Sequence, residues 1–262
     1  MVIRLDRYPK GKTRAVTFSY DDAKEADYKL VEMFNKYGAV GTFNIDSKHI
    51  GEAHRVKEED VKTLYKGHEV ASHMYTHPFP HMLSMNELRN EVVFDREKLE
   101  RLTGQIVRGM AYPFGAYTDE VVKTLPSLGI EYSRTTKSHK TMALPKNFLE
   151  WHPTCHHKDA LECVNSFNDV RWNTLSLFYI WGHSYELEDN GDWGMMEELL
   201  KRICGLDDVW YASNIDIMDY IKALRALKFS TDSKTVYNPS CVTVWIEADG
   251  EAVKIEPGYN RI

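Results

Sequence analysis

RAVTFSYDDAKEADYKLVEMFNKYGAVGTFNI (14–45) is the stretch on which the fold turns. Residues 14–20 are rich in β-branched and aromatic side chains and stop at Asp21 and Asp22. Residues 23–37 then set Leu30, Val31, Phe34 and Tyr37 at a helical period, and 39–45 return to a strand pattern. Strand, helix and strand in so short a span is the unit from which parallel sheets are built.

The same alternation runs outward from this unit. A helix is predicted near 57–66 and a short strand at 68–72. The segment 84–103 opens with a Ser84–Glu87 capping box and continues with helical spacing. Strand-like 106–112, helix-like 117–127 and strand-like 129–134 follow. Beyond a less regular stretch come a helix at 157–171, a buried strand at 174–182, a helix at 193–204, a strand at 208–211 and a helix at 214–228. The expectation is an α/β protein, its parallel sheet open or closed into a barrel. The C-terminal stretch changes character: 241–246 and 252–255 read as a β-hairpin about an Asp-Gly turn, too small to stand alone. The predicted organisation is therefore a barrel over 1–230 and a hairpin appendage over 231–262.

Composition limits the function classes. At 262 residues, 43% hydrophobic and 27% charged, the chain is globular rather than disordered or collagen-like. No apolar run reaches the roughly 18–20 residues of a membrane helix. A net charge of −6 gives no basic footprint for nucleic acid, so neither nucleic acid nor membrane is an expected partner. The N-terminus, MVIRLDRYPKGKTRAVTF, has no apolar h-region. The expectation is a cytoplasmic protein, although a secreted chain trimmed of its leader would read the same. Cys155, Cys163, Cys204 and Cys241 are too scattered for a disulfide scaffold and read as free thiols. Eleven histidines beside 10 Phe, 6 Trp and 15 Tyr suit a metal site and a flat polar ligand such as a sugar ring, but composition proves neither.

Ligands of parallel α/β sheets gather at the carboxyl ends of strands, and chemistry-bearing residues fall there repeatedly. Asp21 and Asp22 end the first strand; adjacent carboxylates point in different directions, so one can bind a metal while the other acts as a base. Taken alone, the pair reads more simply as a helix N-cap with an acid beside it. His73 and His77 share a loop after the 68–72 strand, because Pro78 disfavours a helical His77. Two neutral imidazoles and a carboxylate suit zinc or a similar ion; two loop histidines are the plainer alternative. His183 follows the buried strand, and AlaTyrProPheGly (111–115) ends another with turn residues. His152, Cys155, His156, His157 and Cys163 form a further cluster whose spacing fits no paired metal motif.

Taken together and in order, these motifs resemble the NodB-type polysaccharide deacetylases, carbohydrate esterase family 4. ThrPheSerTyrAspAspAla (17–23) resembles the family's first motif, HisMetTyrThrHis (73–77) the second, TyrProPheGly (112–115) the third and TrpGlyHis (181–183) the last. The resemblance implies a distorted (β/α) barrel of about seven strands. It implies Asp21 as catalytic base and His183 as general acid. Asp22, His73 and His77 would hold one divalent metal ion: zinc first, with cobalt, nickel or manganese as alternatives. The backbone N–H of Phe114 would serve the oxyanion, and Tyr20, Tyr112, Pro113, Trp151 and Trp181 are candidate groove residues.

Departures from the family pattern are specific. Ala111 stands where the third motif usually begins with arginine, and TrpHisProThrCys (151–155) keeps the fourth motif's tryptophan without its aspartate. The base must then be oriented some other way; Arg108 does not fit the register. Ala23 replaces a usual glycine. The function implied is acetyl removal, N- or O-linked, from an acetylated oligosaccharide. An amidohydrolase acting on a small cyclic amide, or a non-catalytic carbohydrate-binding protein, are the alternatives.

Overall fold

The structure, a computed structural model, describes residues 2–169 and 174–262. Its centre is a parallel sheet built from β2 (Arg14–Asp21), β3 (Gly41–Ile45), β4 (Glu69–Ser72), β5 (Gly109–Ala111), β6 (Tyr132–Arg134), β7 (Cys155–His156) and β8 (Ser176–His183), with β9 (Val209–Tyr211) also on β2. The strand order is β6-β5-β4-β3-β2-β8-β7. Trp151 bonds to β6 and Thr154 to β8, so the segment 151–156 spans the gap between the sheet's two ends. This curled parallel sheet with helices is the distorted barrel that the sequence motifs imply.

Alternation along β2 decides which side chains face the site. Val16, Phe18 and Tyr20 pack against α1 (Asp27–Tyr37) and its neighbours, whereas Thr17, Ser19 and Asp21 face the barrel interior. The interior is polar and closed at the amino-terminal end. There Glu69 accepts from Thr42 Oγ1 (2.8 Å), Tyr132 OH (2.8 Å) and Ile215 N (2.9 Å), the last in the first turn of α8 (Asn214–Arg225).

Most predicted elements shorten rather than vanish. The helix expected from residue 23 begins at Asp27, because Asp22 and Ala23 take φ of 81° and 47°. The 57–66 helix is a 3₁₀ turn followed by α2 (Val61–Leu64). The capping box opens α3 (Met85–Thr103) as expected. Pro126 converts the end of the 117–127 helix, α4 (Asp119–Thr124), to a 3₁₀ turn. The 157–171 helix is α5 (Ala160–Asn168) after a 3₁₀ turn, and its residues 170 and 171 lie outside the described residues. α6 (Ser184–Asp189) and α7 (Trp193–Ile203) follow β8.

The C-terminal hairpin forms, with Asp249 and Gly250 both at positive φ as a type I′ turn needs. It takes a third strand that sequence reading missed: β1 (Ile3–Arg7) pairs with β12 (Val244–Ala248), which leads into β13 (Glu251–Ile255). Arg4 and Arg7 both reach Glu247 across that junction. A second small sheet joins β10 (Lys228–Phe229), β11 (Thr235–Asn238) and β14 (Gly258–Arg261). Among the described residues no helix is long and apolar enough to cross a membrane.

Candidate active site

Sheet register brings the chemistry to one rim. Asp21 lies opposite Asn44 on β3 and His183 on β8, and Ala111 lies opposite Arg134. β2, β6 and β8 therefore end in residues of the site, and β4 leads directly into His73.

Asp22, His73 and His77 converge, their ligand atoms all within 4.8 Å of one another. Asp22 Oδ1 is 3.9 Å from His73 Nε2 and 3.7 Å from His77 Nε2. These spacings approach the ~3.4 Å between tetrahedral ligands bound about 2.0–2.1 Å from zinc. His73 Nδ1 lies 2.9 Å from the Ala111 carbonyl, a contact that places the proton on Nδ1 and leaves the Nε2 lone pair facing Asp22. Burial, with His73 close by, pushes the His77 imidazole down to about 4, so it is neutral at pH 7. The three residues fit a divalent cation.

The loop geometry behind this set is strained and braced. Asp22, Ala23, Met74, His77 and Phe114 all have positive φ, a concentration found at sites where surrounding structure over-determines the backbone. Ala23, at φ 47°, adopts a conformation that glycine takes without steric cost. Arg55 bonds the Asp22 carbonyl and Asp46. From α3, Asp95 accepts from Ser47 N (2.8 Å) and His73 N (3.2 Å), and Glu91 accepts from Thr76 N (2.7 Å). The His73–His77 turn is thus held from one helix.

Asp21 has a different set of partners. Its Oδ1 accepts from Asn44 Nδ2 (2.8 Å), its Oδ2 pairs with Arg134, and the Nε2 atoms of His73 and His183 each lie 3.8 Å from Oδ2. Burial raises this carboxyl, but Arg134, His73, His183 and Asn44 outweigh it and hold the group below its ordinary value. Asp21 is a carboxylate at neutral pH.

Arg134 is the functional residue that sequence reasoning missed. It ends β6, in register with Ala111, so the arginine absent from the third motif is supplied one strand over. Its guanidinium also lies 4.6 Å from the Trp181 ring centroid. The available signal was its place at the carboxyl end of a predicted strand. Arg108, as expected, lies elsewhere and pairs with Glu131 and Asp219.

His183 has its own carboxylate neighbour, Glu186 on the first turn of α6, 3.5 Å from its Nδ1. Burial lowers the imidazole, but Glu186 and Asp21 reverse this and raise it above its ordinary value. His152 bonds Thr135, and only His156 and His157 of the predicted five-residue cluster converge, with Glu186 as their third member.

Three proposed groove residues are corrected. Tyr20, Tyr112 and Trp151 are each 1% exposed. Alternation turns Tyr20 and Tyr112 away from the inward-facing Asp21 and Ala111, and Trp151 packs edge-on among Tyr132, Phe148 and Tyr179. Pro113 is buried and Trp181 half-buried. Phe114 is 54% exposed, stacks on Phe79 at 3.9 Å and meets the His77 ring edge-on. A cleft of about 380 Å³ opens beside Asp22, lined by Lys24, His54, Tyr185 and Glu188 among others.

The chain is similar to several known proteins. Residues 8–133 match the polysaccharide deacetylase family. A chitin deacetylase of Arthroderma benhamiae is 30% identical over 43% of this chain and 31% of its own length. The peptidoglycan-N-acetylglucosamine deacetylase PgdA of Listeria monocytogenes is 25% identical over 53% of this chain and 30% of its own. The chain thus spans about a third of the length of these two curated relatives. In fold, it is similar to a Mycobacterium smegmatis structure assigned to the polysaccharide deacetylases (TM-score 0.64, 18% identity, 83% of this chain and 93% of that one). It is also similar to a carbohydrate esterase family 4 pseudoenzyme of Bacillus anthracis (TM-score 0.52, 20% identity, 80% and 66%).

Proposed function

We propose, on the premise that residues 8–133 form a polysaccharide deacetylase domain, that this protein is a metal-dependent hydrolase removing N- or O-linked acetyl groups from a carbohydrate. The observation that carries the reading is a division of labour between neighbours. Asp22 joins His73 and His77 as a ligand set, while Asp21 turns to Arg134, Asn44 and His183.

A divalent ion held by Asp22, His73 and His77, zinc before cobalt, nickel or manganese, supplies Lewis acidity toward water and the acetyl carbonyl. Asp21 accepts the proton of the attacking water; Arg134 and Asn44 fix its carboxylate and keep it ionised. The Phe114 N–H stabilises the oxyanion of the tetrahedral intermediate. His183 passes a proton to the departing amine or alcohol, a step worth roughly 10²–10⁴ in rate. The cleft beside Asp22 and the exposed Phe79–Phe114 ledge favour a sugar ring: one offers polar partners, the other an apolar face. A non-catalytic binding role requires neither a buried, charge-paired base nor an acid.

Asp21→Asn is expected to abolish acetate release while metal content survives, and His73→Ala to lose both. Acetate release by Asp21→Asn at the wild-type rate contradicts the mechanism.

A further inference from the structure

The cluster of His156, His157 and Glu186 lies outside the motifs and has no role in the mechanism above. Two readings fit three such groups within 4.8 Å: a second cation site, or a chain of imidazole–carboxylate contacts. Proton placement separates them. His156 Nδ1 accepts from the Lys158 backbone N–H at 3.4 Å, so the ring's proton resides on Nε2, which lies 2.9 Å from Glu186 Oε2. A nitrogen that carries a proton donates; it does not ligate. His157 Nε2 lies 3.5 Å from the same oxygen, and burial pushes that imidazole down to about 3, so it carries no charge at pH 7.

The other carboxylate oxygen, Glu186 Oε1, lies 3.5 Å from His183 Nδ1. Among the described residues, His183 Nδ1 and Glu186 Oε2 are buried and make no hydrogen bond, so the close imidazole–carboxylate contacts of Glu186 are the polar neighbours that each has. No Lys or Arg nitrogen among the described residues pairs with Glu186; its neighbours are the three histidines. The cluster is also sterically built. A Cβ at Gly182 would meet His157 Nδ1 at 2.0 Å, so the glycine before His183 makes room for the ring, which stacks on Tyr20 at 5.7 Å.

We infer that Glu186 and His156 are positioning residues for the acid: the chain His156 Nε2–H, Glu186 carboxylate, His183 Nδ1–H fixes His183 with Nε2 turned to Asp21 and the leaving group. The inference rests on the proposed deacetylase reading. It assigns the orientation of His183 to a carboxylate one helical turn later in the chain and to an imidazole on the adjacent strand β7, the two being in sheet register at His156 and Trp181.

Leaving-group dependence tests it. An amine must be protonated to depart, whereas p-nitrophenolate leaves without a proton. Glu186→Gln and His156→Gln are measured on an N-acetylated chito-oligosaccharide and on p-nitrophenyl acetate, with bound zinc counted. Expected are one zinc per chain throughout and a fall in kcat on the acetamide, at little-changed KM, of roughly 10–100-fold. The fall on the ester is at least about tenfold smaller. Parallel loss on both substrates, or loss on neither, overturns the inference. So does a second zinc equivalent that His156→Gln removes, which makes the cluster a metal centre. Wild-type protein that releases acetate from neither this acetamide nor an acetylated xylo-oligosaccharide instead overturns the deacetylase reading beneath it.

Discussion

Arg134 and Asp21 form an ion pair with side-chain exposures of 0% and 2%, and their energetics follow from that burial. Removing one partner of a buried pair strands the other charge, at a cost of about 3–5 kcal/mol. Arg134→Met is therefore expected to lower unfolding free energy by about this amount and to reduce kcat at least tenfold, through a base that burial then pushes upward. The double variant Asp21→Asn/Arg134→Met should be less destabilised than the two single losses summed, a coupling readable in urea titrations. Additive losses would mean that the two groups stabilise the fold independently. Asp21, Asp22, His73, His77 and His183 were legible because each is carried by a short motif at a strand end. Arg134 and Glu186 were not: what brings them in is sheet register and a helical turn, and no local sequence pattern encodes which strand a missing arginine has moved to.

At the scale of elements, the alternation of β2 was in the sequence all along. Val16, Phe18 and Tyr20 share one parity and Asp21 the other, so Tyr20 belonged with the helices and not with a ligand. The β1 strand was illegible for a different reason: five mostly polar residues acquire strand structure only by pairing with β12, near the other end of the chain. The polar plug at the amino-terminal end of the barrel has a pH signature. Burial raises Glu69 to about 7 despite its bonds from Ile215, Tyr132 and Thr42. Between the ordinary glutamate value and about 7 the folded state holds more protons than the unfolded one, so stability falls as pH rises through that window. Asp27, raised by burial to about 7, acts in the same direction. The stability difference between wild type and Glu69→Gln should therefore shift by a few kcal/mol between about pH 5 and pH 8, in the direction that makes the wild type relatively less stable at the higher pH. An unchanged slope in Glu69→Gln would show that Glu69 is ionised in the folded protein.

For the whole molecule, one rim of a curled parallel sheet gathers a ligand set, a charge-paired base and a carboxylate-backed acid from the ends of β2, β4, β6 and β8 and the first turn of α6. The small sheets formed by residues 3–7 and 228–261 add to the barrel's outside and contribute none of these groups. Under the proposed function this rim is a metal-dependent deacetylase site. The most direct test is acetate release from N-acetylated chito-oligosaccharides and acetylated xylo-oligosaccharides, measured beside ring opening of a cyclic imide. Each assay uses the protein as purified, after chelation and after resupply of zinc. Acetate from at least one oligosaccharide, lost on chelation and restored by zinc, with the imide untouched, is the expected result. Turnover of the imide with no acetate from any oligosaccharide, or acetate release indifferent to the chelator, would contradict it.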